Sequence, residues 1–243
     1  MGLKLLCVVA HPDDECFAFG GALALAAEQG VETHVICFTD GQAASNRGDS
    51  QSAAELGRMR GAEFAASCDV LGVSHHELWD YQDGQLEFAD FSATAARLVA
   101  KMRALKPDVV LTFGSDGAVN THPDHTMVSA FTCAAFHWAA SAKRFADLGP
   151  IHHGQRLFLL ATSFFIDGRP APMPSPWNVT LDVRSVMARR HEAFCQHASQ
   201  APLMELTKAL FEKYGQTEHY LLAASREMGP ARQMTGLFEG LAE

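Results

Sequence analysis

Strands and helices alternate over residues 3–140, which predicts an α/β fold: a doubly wound, mostly parallel, Rossmann-like sheet flanked by helices, with a C-terminal strand–helix extension. Nearly continuous apolar runs at 3–10 and 108–113 have the pattern of strands buried on both faces. Each is followed by a helical stretch, and the first strand–helix–strand unit implies a right-handed parallel crossover. Chain composition agrees, because 48% hydrophobic residues in 243 suffice for one large core.

Residues 3–10 (LKLLCVVA) form the first expected strand, ending at a His-Pro turn. Residues 20–29 (GGALALAAEQ) read as an alanine-rich helix ended by Gly30, and 31–39 (VETHVICFT) as a second strand closed by Asp40-Gly41. A polar loop at 42–52 precedes a helix at 53–71, with Gly72 just beyond it. A short strand at 77–81 meets the turn Gln82-Asp83-Gly84, and a helix at 91–105 stops before Pro107. The strand at 108–113 leads through a loop rich in Gly, Asp and Asn into an apolar helix at 123–140. Past Pro150 the pattern loosens into strands at 156–166 and 177–181 around a proline-rich turn, then helices at 183–196 and 203–214. Nothing in the composition cuts the chain, so residues 1–243 are expected to be one domain, with a core at 1–140 and an extension at 141–243.

The net charge of −9, from 19 Lys+Arg against 28 Asp+Glu, argues against a nucleic-acid or anionic-membrane binder. No apolar run approaches the ~18 residues of a membrane span, and the N-terminal apolar stretch is too short for a signal-peptide core, so the expected location is cytoplasmic. The six cysteines are scattered without a C-x-x-C pair, which excludes a zinc ribbon or thioredoxin-type site. A homo-oligomer is compatible with all of this.

Ligands of open α/β sheets bind outside the carboxyl ends of the strands. Two polar clusters stand there: Ala10-His11-Pro12-Asp13-Asp14-Glu15 after the first strand, and Thr121-His122-Pro123-Asp124-His125 at the start of the 123–140 helix. One His-Pro-Asp turn is ordinarily a turn or a helix cap. Two of them at strand ends, rich in carboxylates and imidazoles, point to a metal site. His11 and Asp14 can converge on one ion while Asp13 faces water, and of His122 and His125 one can bind metal while the other faces a substrate.

AHPDDE (10–15) and HPDH (122–125) resemble the paired motifs of the LmbE-like, GlcNAc-phosphatidylinositol de-N-acetylase (PIG-L) family of zinc-dependent N-deacetylases. Further similarity lies in Phe38-Thr39-Asp40-Gly41, in Arg60 and Glu63 with Leu71-Gly72-Val73, in Asp83-Gly84-x-Leu86, in His197-Ala198-Ser199-Gln200, and in Leu237-Phe238-Glu239-Gly240. The resemblance implies that His11, Asp14 and His125 hold Zn²⁺ and that Asp13 is the general base. It also implies that His122 stabilises the oxyanion, with Asp124 orienting it, and that the substrate is a small-molecule amino-sugar derivative containing N-acetylglucosamine, from which the N-acetyl group is removed. Arg60, Asp83 and Asp40 are the corresponding candidates for holding sugar hydroxyls. Glu15 is read either as an outer support of the site or, preferably, as a cap of the following helix, and His197 as a brace of the site, while Arg190 stands where the family commonly has lysine.

Two other readings compete. His11-x-Asp13 with His125 also spells the 2-His-1-carboxylate triad of a non-haem Fe(II) oxygenase, although the α/β alternation opposes that enzyme's usual jelly roll. A non-catalytic nucleotide-binding module would want G-x-G-x-x-G in the first crossover, where this chain has His-Pro-Asp-Asp. A serine hydrolase lacks its G-x-S-x-G.

Overall fold

β1 (Lys4–Val9) is buried along nearly its whole length, as its unbroken apolar run requires. Such a strand needs partners on both sides, and it pairs in parallel with β2 (Glu32–Thr39) and β4 (Val109–Phe113). β3 (His75–Tyr81) adds to β2 and β5 (Arg156–Leu160) to β4, both in parallel. The computed structural model describes residues 2–166, 168 and 171–241, and the seven-stranded sheet has the order β3-β2-β1-β4-β5-β7-β6. Among the described residues no helix is long and apolar enough to cross a membrane.

The last two strands revise the C-terminal expectation. β7 (Thr217–Ser225) is not expected from the sequence, yet it runs antiparallel between β5 and β6 (Val179–Asp182). Only its first residues alternate clearly between buried and half-buried, so its sequence lacks the apolar run that marks β1. The strand expected over 156–166 ends at Leu160, and the residues after it form irregular chain. The start of the proline-rich turn, Arg169 and Pro170, lies outside the described residues.

The helices follow their sequence signals. After the short α1 (Asp14–Phe17) comes α2 (Gly20–Glu28). α3 (Ala53–Leu71) starts at Ser52, whose side chain accepts from Glu55 N, and stops at left-handed Gly72. α4 (Phe91–Leu105) is capped by Asp90, and α5 (Pro123–Ala139) has His122 as its cap with proline at its first position. α6 (Met187–Cys195) and α7 (Ala201–Tyr214) complete the set. Helices α4 and α5 pack together, as do α3 and α6.

Because β2 and β3 build outward from β1 on one side while β4 and β5 build on the other, the winding direction reverses between β1 and β4. Both His-Pro-Asp clusters follow these two neighbouring strands. The topology therefore brings together residues more than a hundred positions apart.

Candidate active site

The turn after β1 is strained and heavily braced. Asp13 has φ 98°, a left-handed conformation that costs a non-glycine residue about 1–3 kcal/mol. Its N–H donates to Glu15 Oε2 at 2.9 Å, and its carbonyl accepts from Phe17 N at 2.8 Å. On the facing side, Gly117 at φ +77° brings its backbone against His122; a Cβ there would lie 2.8 Å from the His122 carbonyl oxygen. Both turns are thus fixed by backbone contacts before any ligand is considered.

Four donors converge between the turns. The ligating nitrogens of His11, His122 and His125 lie within 4.8 Å of one another. Asp14 Oδ1 stands 3.2 Å from His125 Nε2, and Asp14 Oδ2 stands 3.5 Å from His11 Nδ1. Each group is held from behind. Asp14 Oδ2 accepts from the N–H groups of His11 at 2.8 Å and Ala10 at 3.2 Å. His125 Nδ1 contacts the Gly117 carbonyl at 3.2 Å, and its ring stacks on Phe113 at 4.0 Å. His11 Nε2 is 3.1 Å from both Asp83 Oδ1 and Asp124 Oδ2. What remains facing inward is His11 Nδ1, His125 Nε2 and Asp14 Oδ1. Two imidazole nitrogens and a carboxylate oxygen, each oriented by an outer partner, fit a divalent zinc-type ion.

Electrostatics sharpen the division of labour. Burial opposes a charged His11, but the carboxylates of Asp124, Asp14 and Asp83 outweigh it and raise its pKa well above the usual value. Burial likewise opposes the Asp14 carboxylate, and the neighbouring His125 and His11 nonetheless hold its pKa well below the ordinary range. Asp13 behaves differently: burial pushes its carboxyl up, Arg60 opposes, and the balance lies at about 6. The His122 pKa is lowered by burial and by the neighbouring His11 and His125. Its Nδ1 accepts from Asp124 N at 3.1 Å, which leaves the proton of the neutral ring on Nε2.

Several sequence expectations need correction here. Asp124 does not orient the His122 ring with its carboxylate; only its backbone N–H reaches that ring. The carboxylate instead accepts from Gly84 N at 2.7 Å and Leu86 N at 3.2 Å while holding His11. Asp83, expected to face a sugar, is buried against the same His11 nitrogen and accepts from Ala43 N at 3.1 Å. Arg60 is 3% exposed, too enclosed to grip a sugar; it donates to the carbonyls of Gly41 at 2.9 Å and of Pro12, and to Asp13 Oδ2 at 3.0 Å. Gly41, at φ +68°, makes room for it, since a Cβ there would lie 2.0 Å from Arg60 Nη1. Asp40 accepts from Gln42 N at 3.2 Å and turns towards α3 at Gly57 rather than into the cluster.

Glu15 is no mere helix cap. It is fully buried, 2.7 Å from His197 Nε2, and accepts from Ser67 Oγ at 2.6 Å. Sequence reasoning places His197 as a brace but does not pair it with Glu15 and Ser67, because the three lie on separate segments. Arg190 is buried too, donating to the carbonyls of Cys16, Phe17 and Gly215.

Comparison with known proteins decides the family: the model for PIG-L, the GlcNAc-PI de-N-acetylases, matches residues 6–136, a stretch that contains both His-Pro-Asp turns. The chain belongs to the PIG-L family. By that membership it is a hydrolytic enzyme of the N-deacetylase class. A 1D-myo-inositol 2-acetamido-2-deoxy-alpha-D-glucopyranoside deacetylase of Rhodococcus jostii (strain RHA1) is 29% identical, over 81% of each chain. Among solved structures, the conserved protein TT1542 from Thermus thermophilus superposes with a TM-score of 0.72 at 25% identity, covering 94% of this chain and 98% of that one. The N,N'-diacetylchitobiose deacetylase from Pyrococcus horikoshii shares the fold with a TM-score of 0.74 at 23% identity, covering 98% and 86%. The likeness to both structures thus runs along nearly the whole of this PIG-L chain, well past the residues that the family model matches.

Proposed function

We propose that this PIG-L protein removes the N-acetyl group from an N-acetylglucosamine-containing small molecule, with one zinc ion held by His11, Asp14 and His125. The observation that carries the reading is the set of three inward donor atoms, each fixed from behind, with a separate carboxylate and imidazole beside them. A similar relative acts on an acetamido-glucoside, and the family description names an N-acetylglucosamine substrate, which supports the choice of amide.

Zinc in this position would acidify a water molecule and polarise the amide carbonyl. Asp13, ionised above pH of about 6, accepts a proton from the attacking water at its carboxylate. Arg60 keeps that carboxylate charged and pointed by its contact at 3.0 Å. The neutral His122 donates from Nε2 to the carbonyl oxygen as negative charge develops there. Asp13 then returns the proton to the departing nitrogen, the C–N bond breaks, and acetate and the free amine leave. His11 is kept in one orientation by Asp83 and Asp124, a role that needs no contact with substrate.

The test is amine release from N-acetylglucosamine by the zinc-loaded protein and by its Asp13→Asn variant. The variant should keep its zinc yet lose about 10²–10⁴-fold in turnover. Normal turnover with Asn at that position would remove Asp13 from the mechanism. Iron in stoichiometric amount, with 2-oxoglutarate turnover instead of amine release, would favour the oxygenase reading.

A further inference from the structure

A cavity of about 300 Å³ opens beside the proposed metal position, with Asp13, Asp14 and His125 in its wall. Its size falls at the low end of small-molecule sites. One wall is α7, which turns Leu203, Leu206, Leu210, Phe211 and Tyr214 towards it at the spacing of a single helical face. The opposite wall carries Phe17, Phe113, Leu160, Phe164 and Ile166. Phe164 stacks on Tyr214 at 4.9 Å and Phe17 meets Phe211 at 4.6 Å, so the two walls touch at their margins. Unlike the helices packed on the sheet, α7 buries only Thr207 of its fourteen residues, and Leu206 remains 66% exposed. Leu203 and Met204 touch the core at one end, and the rest of the helix's apolar face lines the cavity.

Most polar groups in the lining are already engaged, Asn120, Ser163 and the Tyr214 hydroxyl being the exceptions. Arg190 donates to three backbone carbonyls. Glu218 accepts from Gly21 N, Ala22 N and the Tyr220 hydroxyl. Both His219 nitrogens contact threonine hydroxyls, those of Thr180 and Thr217. Thr162 is bonded to Asp116, and Thr207 to the Leu203 carbonyl. A second sugar or an inositol would find few free partners here and would lose its hydrogen bonds to water.

We propose that the substrate carries an apolar group, an aliphatic chain or an aromatic ring, joined to the cleaved amide and seated in this cavity. The inference rests on the N-deacetylase reading, because the cavity begins at Asp13, Asp14 and His125 and its occupant must be continuous with the amide held there. An acetyl methyl alone would leave most of the space unfilled. The apolar group can belong to the acyl side or to the aglycone, and two substrate series distinguish these sources.

With zinc-loaded protein, kcat/KM is measured for N-acyl-glucosamines from acetyl to octanoyl, and for N-acetylglucosaminides bearing methyl, hexyl and phenyl aglycones. At least a tenfold rise is expected along one series, the effect of burying about two methylene groups. The series that rises identifies the side of the amide that enters the cavity. Leu206→Asp and Leu210→Asp should bring the ratio of best to shortest substrate close to one. Leu206 is exposed enough for its variant to fold, and thermal melting checks both proteins. Flat or falling values in both series while N-acetylglucosamine is hydrolysed would overturn the apolar group and leave the deacetylase reading standing. A chain-length gain that survives both variants would move the apolar group elsewhere. Absence of amine release from every substrate would overturn both readings.

Discussion

Replacing Arg60 with methionine separates a residue that grips substrate from one that positions the base. Its buried guanidinium lies 3.0 Å from Asp13 Oδ2. An opposite charge this close lowers a carboxyl pKa by roughly 1–3 units, so its loss should raise the Asp13 value by that amount. A carboxyl with a pKa of about 6 is about nine-tenths ionised at pH 7. After a rise of one unit about half is ionised, and after three about one-hundredth, so kcat at pH 7 should fall by roughly twofold to hundredfold. A bound metal shifts both proteins downward together, which makes the displacement of the acid limb the quantity to read. The carbonyls of Gly41 and Pro12 would also lose their donor, costing about 1–3 kcal/mol each, and the melting temperature should fall accordingly. The assay is a pH profile of kcat and kcat/KM for both proteins with the same substrate. KM should change little. A tenfold rise in KM with an unmoved acid limb would show that Arg60 binds the substrate, and the positioning argument would be wrong.

Asp124→Ala should weaken zinc binding by about 10–100-fold in a chelator competition, because His11 Nε2 would retain only Asp83; unchanged affinity would deny Asp124 that role. For the wild type, activity requires ionised Asp13, so kcat/KM should be lost as pH falls through about 6 or below; an acid limb above pH 7 would point to a different base. Arg103→Ala should be costly far from the active site, since this buried guanidinium donates to backbone carbonyls between Trp138 and Gly149. A loss of about 3 kcal/mol, or roughly 6–12 °C in melting temperature, is expected, and a change under 2 °C would show that the loop is held by other contacts.

The parallel half of the sheet is legible because its strands announce themselves. β1 and β4 are apolar but for Lys4 and Thr112, and the helices begin and end at Ser52, Gly72, Asp90 and Pro123, where local chemistry dictates a boundary. Convergence of the two His-Pro-Asp turns follows from topology, since one directly follows β1 and the other follows its partner β4 after a short loop. β7 is hidden for the converse reason: an antiparallel strand with a half-exposed face carries a weaker pattern, and its partners lie far away in sequence.

Side-chain direction is the less legible part of the site. Nothing in the spacing of Asp83, Arg60 or Glu15 says that the first reaches back to His11, the second to Asp13 and the third to His197. All three depend on contacts across turns from different segments. The apolar face of α7 is present in the sequence as Leu203, Leu206, Leu210, Phe211 and Tyr214. Periodicity alone cannot tell a face packed on the core from one that lines a cavity.

The proposed zinc chemistry meets its most direct test in metal reconstitution. Protein stripped by chelation and titrated with Zn²⁺ should recover amine release from N-acetylglucosamine linearly up to one equivalent per chain. The same titration of His125→Ala should recover almost nothing at one equivalent. Full activity in the stripped wild-type protein, or equal recovery in the variant, would contradict a hydrolytic zinc held by His11, Asp14 and His125.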